Sequence, residues 1–176
     1  MTMTGNIFLV GPPACGKTTL GEHLAARLGL EFCDSDKAIE ERTGLSVAEI
    51  FEREGEARFR EHETAAILEL TQKKSIVLAT GGGAVLSEQN RRCLRTHGTV
   101  VYLKVSVETQ LARTTGDRSR PLLTGSDPRA ALEQITRTRE TFYTQIADIT
   151  LNVDNKPLND IGDMLVNELS RLKPEA

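Results

Sequence analysis

Residues 11–18 read GPPACGKT and follow the apolar run NIFLV at 6–10. Gly11, Gly16, Lys17 and Thr18 fit the spacing Gly-x4-Gly-Lys-Ser/Thr. Bare backbone at the glycines lets amides turn inward around phosphate oxygens, and a helix starting here adds the positive end of its dipole. Lys17 is placed to reach the β- and γ-phosphates, and the Thr18 hydroxyl to serve as a magnesium ligand. A chance glycine turn needs no strand before it and no helix after it, and this segment has both. Nucleotide contacts are therefore expected along Gly11, Pro12, Pro13, Ala14, Cys15, Gly16, Lys17, Thr18 and Thr19. Guanine is read by an Asn-Lys-x-Asp element. Here NKPL at 155–158 puts Leu158 where that carboxylate belongs. ATP is the expected nucleotide, with Asn155 and Lys156 wrapping the adenine through backbone groups.

Charged residues on apolar faces come next. Asp34 and Asp36 flank Ser35 after the second β-rich run, and carboxylates at i and i+2 on an extended end point the same way. Beside a triphosphate they need a cation or a hydroxyl between. Asp34 is read as a water-mediated magnesium ligand and Asp36 as the partner of an acceptor hydroxyl. The plainer alternative is a helix N-cap from Ser35 or Asp36. Phe59, Glu63, Ala66 and Leu70 share one helical stripe, so Glu63 is a carboxylate on an apolar face and requires a cation. Arg60, one turn earlier, is the local candidate; the alternative is a partly exposed ion pair of little worth. Leu132, Ile135, Phe142, Tyr143 and Ile146 form a second stripe with Arg139 near its centre. That guanidinium must face a carboxylate, an anion or a wet cleft.

Six arginines (113, 118, 120, 129, 137 and 139) fall between residues 113 and 139 of an otherwise acidic chain. Arg118 and Arg120 lie in the polar stretch 114–127, which reads as a mobile lid whose arginine closes over a γ-phosphate. Gly81, Gly82 and Gly83 end the third β-rich run, where a parallel sheet binds ligands, and their missing side chains allow close backbone approach.

These residues need a scaffold. Five β-rich runs occur, at 6–10, 30–34, 75–80, 99–105 and 148–153, separated by helical patterns. Leu20, Leu24 and Leu28 recur at helical spacing before Gly29, a stop signal. Pro128 suits a first helical position. Alternating strand and helix predicts an α/β fold with a parallel sheet, a helical insert over about 35–73, and one domain across residues 1–176. No repeat or low-complexity tract interrupts it.

The chain has 176 residues, 39% hydrophobic and 27% charged, with no tryptophan and a net charge of −3. That balance gives no general attraction to nucleic acid or acidic membranes, so any anion site must be local. The start has no basic and apolar leader, and no run reaches the roughly 18 apolar residues of a membrane span. Cys15, Cys33 and Cys93 have no ligand spacing and read as reduced thiols of a cytoplasmic protein. Cys15 near a helix N-terminus is the setting of a redox sensor; a small loop filler is the simpler reading. His23, His62 and His97 read as surface residues. Small size makes a monomer the expectation.

In order and spacing, GPPACGKT, DSD (34–36), IFEREGEARFREHE (50–63), ATGGGAV (79–85), RSRPLL (118–123) and RTRETFY (137–143) resemble the shikimate kinases. The resemblance covers nearly the whole chain. It departs from the family's usual loop at Pro13, Cys15 and Thr18. It implies a three-layer P-loop kinase fold with a five-stranded parallel sheet in the order 2-3-1-4-5. It implies ATP-dependent phosphorylation of the shikimate 3-hydroxyl with one Mg²⁺ ion, in aromatic amino-acid biosynthesis. Carried over, Asp36, Arg60, Gly81, Gly82, Gly83 and Arg139 bind shikimate, Phe51 and Phe59 wall its pocket, and Glu63 orients the arginines. Arg120 resembles the lid arginine on the γ-phosphate, and Arg113 the one stacked on adenine. Lys17, Asp36 and Arg120 carry the catalysis. Two alternatives stay open: a kinase for another polyol acid such as gluconate, and a non-enzymatic ATP-binding switch.

Overall fold

The computed structural model describes residues 5–114 and 127–172. In chain order the elements are β1 (Ile7–Val10), α1 (Lys17–Leu28), β2 (Glu31–Asp34), α2 (Ser35–Thr43), α3 (Val47–Leu70), β3 (Ile76–Ala79), α4 (Glu88–His97), β4 (Thr99–Lys104), α5 (Val107–Thr114), α6 (Pro128–Ile146), β5 (Ile149–Asn152) and α7 (Leu158–Leu172), with a short 3-10 turn at Ala84–Leu86. The expected runs and strands agree to within about one residue at each end. The stretch read as a helical insert holds α2 and α3, and α3 is kinked at Gly55, whose φ of 84° is not helical.

The five strands are all parallel, in the order β2-β3-β1-β4-β5. Successive residues of a strand face opposite sides, so β1 feeds two cores. Ile7 and Leu9 pack with Val101 and Leu103 under α1 and α7, through Leu20, Leu24, Leu28, Ile161, Leu165 and Leu169. Phe8 and Val10 pack with Leu78, Val100 and Tyr102 under α3, α4 and α6, through Ile67, Leu70, Leu94, Tyr143 and Ile146. Helices thus cover both faces, which is why β3 and β4 read as continuous apolar runs. A smaller apolar cluster, Ile39, Ile50, Phe59 and Ala66, holds α2 on α3. None of the described helices is long and apolar enough to cross a membrane.

Helix ends follow the sequence signals, with one correction. Gly29 ends α1 in the left-handed conformation, φ 69°. Asp127 caps α6 through the Ala130 amide, with Pro128 as the first helical residue. The cap of α2 is neither Ser35 nor Asp36 but Asp34, whose carboxylate accepts from the amides of Asp36 and Lys37. Only Asp34 is extended; Asp36 already belongs to the helix.

The histidines need correction too. His97 is exposed, but His62 is half-buried, 3.3 Å from Glu54. His23 is half-buried beneath α7, where Gly162 leaves room for its ring. An imidazole presents an apolar body as well as a polar tip, and helix packing covers that body.

β1 leaves the sheet through Gly11, at φ 154°, where a Cβ would lie 2.8 Å from both the Leu103 carbonyl oxygen and the Cys15 sulfur. Gly11→Ala is therefore expected to destabilise the protein by about 1–3 kcal/mol. Urea unfolding checks this; an unchanged midpoint would show that the turn has slack.

Candidate active site

The phosphate-binding loop joins β1 to α1 at the carboxyl edge of the sheet. Gly16 caps α1 in the left-handed conformation at φ 94°, and Ala14 also has positive φ, 62°. Alternation of this kind turns successive amides toward one concavity. The Lys17 ammonium lies 2.7 Å from the Gly11 carbonyl oxygen and 2.9 Å from that of Pro12. Its position at the head of α1 keeps it over the loop. Cys15 is buried in the core below, the place of a filler and not of an accessible sensor. The loop floors a cavity of about 510 Å³ whose lining includes Lys17, Thr18, Asp34, Asp36, Gly81, Gly82, Arg113 and Lys156.

Two carboxylates enter that cavity from the end of β2. One Asp34 oxygen caps α2 while the other accepts from the Thr18 hydroxyl at 3.0 Å. The cap therefore aims the free oxygen at the loop. It also starts α2 so that Asp36 falls in the first turn. Asp36 is half-buried, but its Oδ1 is out of water with no partner among the described residues. Burial, with Glu63 and Asp34 nearby, pushes its carboxyl up to about 7, against an opposing pull from Lys17.

Beside Asp36 lies a charged cluster built on α3 and α6. Glu63 is 1% exposed and accepts from Arg60 at 2.9 Å, while Arg60 keeps 22% of its side chain exposed. Burial still outweighs Arg60 and Arg139 and holds the Glu63 carboxyl above its usual range. Arg139 is 6% exposed and interacts with Glu63 and the Tyr143 hydroxyl. Tyr143 donates to the Gly82 carbonyl at 2.5 Å and stacks on Tyr102. Phe59 is buried at 4.7 Å from the half-buried Phe51, with the Arg60 guanidinium 5.3 Å above its ring.

The fold itself also requires bare backbone in the glycine run. A Cβ on Gly81 would lie 2.7 Å from Glu63 Oε2 and 2.9 Å from Asp36 Oδ1, and one on Gly83 would lie 2.4 Å from Arg60 nitrogens. The room is taken by the chain's own charged groups. Gly82 packs against Pro13 of the phosphate loop.

The family model for shikimate kinase matches residues 13–170. The chain belongs to the shikimate kinase family. It is 52% identical to the shikimate kinase of Chromobacterium violaceum, over 95% of this chain and 91% of that one. It is 50% identical to that of Vibrio cholerae, over 93% of this chain and 94% of the other. Among solved structures, a shikimate kinase from Acinetobacter baumannii in complex with shikimate superposes with a TM-score of 0.95 at 43% identity, covering 97% of this chain and 96% of that one. A gluconokinase from Sinorhizobium meliloti has a TM-score of 0.65 at 19% identity, covering 98% of this chain and 95% of that one, a likeness of fold alone.

The chain carries its loop lysine and acidic pair on one cavity. Arg60, Arg139, Glu63 and Gly83 cluster beside that cavity and not in its lining. Lys156 lines it and Asn155 does not, although Asn155 has the positive φ, 54°, that turns this loop. Arg118, Arg120 and nearly all of the expected lid lie outside the described residues. Sequence reading missed three supports. Ser35 accepts from the Gly81 amide at 3.0 Å, tying α2 to the glycine run. Asp154 accepts from the Ser106 amide and hydroxyl and fixes the start of α5. Gln110 donates to the Pro13 carbonyl. Each is a polar side chain bonded far along the chain, so no local spacing reveals it.

The raised Asp36 carboxyl makes stability pH-dependent. Folded Asp36 keeps its proton to about pH 7, whereas the unfolded chain releases it near 4. Folded protein then binds more protons between those values, so stability is full below about pH 4 and declines toward pH 7, by at most about 1.4 kcal/mol per pH unit. Asp36→Asn, melted in chelator across pH 4–8.5, is expected to lose much of that slope and to exceed the parent in Tm at pH 8. Parallel curves for the two proteins would refute the buried-carboxylate account.

Proposed function

We propose that the chain transfers the γ-phosphoryl group of ATP to the 3-hydroxyl of shikimate, giving shikimate 3-phosphate and ADP, as a step of aromatic amino-acid biosynthesis. The observation that carries this is the placement of Asp36 between the phosphate loop and the Arg60–Glu63–Arg139 cluster. The shikimate bound to the Acinetobacter relative supports the choice of acceptor.

Phosphoryl transfer asks for positioning and charge stabilisation more than for covalent chemistry. Arg60 and Arg139 bind the acceptor carboxylate, and Glu63, hydrogen-bonded to Arg60, holds that guanidinium in place. Asp36 and the Gly82 amide hold ring hydroxyls, with Phe51 and Phe59 as walls. The hydroxyl oxygen attacks the γ-phosphorus, the bond to the β-γ bridging oxygen breaks, and the hydroxyl proton passes to Asp36. A carboxyl raised to about 7 is matched to taking a proton near neutrality. Lys17 leaves the loop carbonyls for the β- and γ-phosphates. Arg113 and Lys156 face the base, and Arg120 is assigned to the γ-phosphate on the sequence alone. The Thr18 hydroxyl and Asp34 carboxylate, 3.0 Å apart, are a hard-oxygen pair fitted to Mg²⁺. Bound there, the ion supplies neutralisation of phosphate charge.

A coupled ADP-release assay with shikimate, gluconate or no acceptor tests the reading. Turnover is expected with shikimate alone; equal rates with gluconate, or none with either, would overturn it. Arg139→Ala should weaken shikimate binding by roughly 2–5 kcal/mol, the usual loss for one partner of a buried charged pair, and leave ATP affinity intact. Calorimetry showing full acceptor affinity and only a lower Tm would make Arg139 structural. Asp36→Asn should lower kcat by roughly 10²–10⁴, the span of a general base. Near-wild-type turnover would remove that role.

A further inference from the structure

We propose that Gln110 is a nucleotide-positioning residue that sets the direction of the phosphate-loop amides. The inference rests on the nucleotide-binding reading above and assigns a residue that neither the loop motif nor the substrate cluster contains.

Gln110 lies on α5 and is 0% exposed. Its Nε2 donates to the Pro13 carbonyl at 2.9 Å, across 97 residues of sequence. A carbonyl can only accept, so this contact sets which end of the amide faces the loop. The other end is left poorly served: Gln110 Oε1 is buried with no partner among the described residues. A buried amide with an unsatisfied acceptor is a poor choice for stability, and an apolar side chain would avoid that cost. Among the described residues, what the glutamine side chain provides is the bond to Pro13.

That bond has a geometric consequence. A peptide is planar and trans, so its carbonyl and amide point in opposite directions. Holding the Pro13 oxygen toward α5 turns the Ala14 amide the other way. Residues 14–19 line the cavity floor. The Arg113 guanidinium, one turn on, holds the next carbonyl, Ala14, at 3.0 Å. Arg113 is also assigned to the adenine, so its contact is exchangeable, whereas a fully buried Gln110 stays. The positive φ of 62° at Ala14 is strained for a residue with a side chain and persists only where surroundings enforce it. α5 can enforce it because its own start is anchored. Asp154, beside the base-wrapping loop, accepts from both the amide and the hydroxyl of Ser106. Leu111 and Val107 pack it on Leu132 and Ile135 of α6. The phosphate loop is thus held from α5 at two successive carbonyls.

Gln110→Met and Gln110→Glu test this. The first removes the donor and keeps the length; the second keeps the shape, cannot donate when ionised, and sets a charge against the Pro13 oxygen. Calorimetric titration with MgADP, steady-state kinetics for ATP and shikimate, and thermal melting are measured on both variants and the parent. The expected result is a rise of about tenfold in the MgADP Kd and the ATP KM, with the shikimate KM within twofold of the parent. Tm should be little changed in Gln110→Met. MgADP affinity within twofold of the parent in the folded variant overturns the proposal, whatever Tm does. So do equal losses for MgADP and shikimate, because they indicate general loosening. Should Gln110→Glu fail to fold, Gln110→Met decides. Failure of the parent itself to bind MgADP would instead refute the nucleotide reading.

Discussion

Glu63 is held almost entirely out of water, with one oxygen on Arg60 and the other without a partner among the described residues. Breaking such a pair by removing one partner typically costs about 3–5 kcal/mol, whereas a well-packed apolar pair often serves stability equally well. The fold therefore tolerates this group and organises around it. Helix α3 must present Glu63 inward, which sets the phase of its apolar stripe. Arg60, one turn earlier, must stay partly in solvent. The end of β3 must carry no side chains, because Glu63, Asp36 and Arg60 occupy the space that Cβ atoms at Gly81 and Gly83 would need. Burial next to Glu63 also raises the Asp36 carboxyl toward neutrality.

The same economy appears at the element ends. Parallel strands deliver their carboxyl ends to one edge, so β1, β2 and β3 bring the phosphate loop, the acidic pair and the glycine run together. Groups that finish the secondary structure there also orient the site. Asp34 caps α2 with one oxygen and meets Thr18 with the other. Asp154 anchors α5 while sitting in the loop that carries Lys156. Tyr143 fills the core between α6 and the sheet and spends its hydroxyl on Gly82. Loss of any of these would show first as a misaimed donor and only second as a loosened helix.

Much of this was legible in one dimension. The Gly-x4-Gly-Lys-Thr spacing, the strand and helix alternation, the Gly29 and Pro128 helix signals and the misplaced charges at Glu63 and Arg139 are all local. Each is written within one turn or one strand, because backbone conformation and face are set by near neighbours. The strand order was carried by resemblance, not by local pattern. Where local reading failed, a choice among neighbouring polar residues was at stake. Asp34, Ser35 and Asp36 all suit a cap, and the point where β2 leaves the sheet picks Asp34. His23 looks like a surface residue until α7 packs over its ring.

The chain's order of residues thus determined which chemical groups exist, which face of each helix or strand they occupy, and that the first turn has the bare backbone and lysine suited to a phosphate. Tertiary structure alone decided which distant groups meet. Pairings such as Gln110 with Pro13, Ser35 with Gly81, and Tyr143 with Gly82 span 97, 46 and 61 residues. A hydrogen bond needs its partners within about 3 Å, and closeness of that kind between remote segments comes from the packing of whole elements, not from spacing along the chain. The raised Asp36 carboxyl belongs to the same class. Its cause is the exclusion of water and the arrival of Glu63 from another helix, and neither exists until the sheet and its helices have closed together.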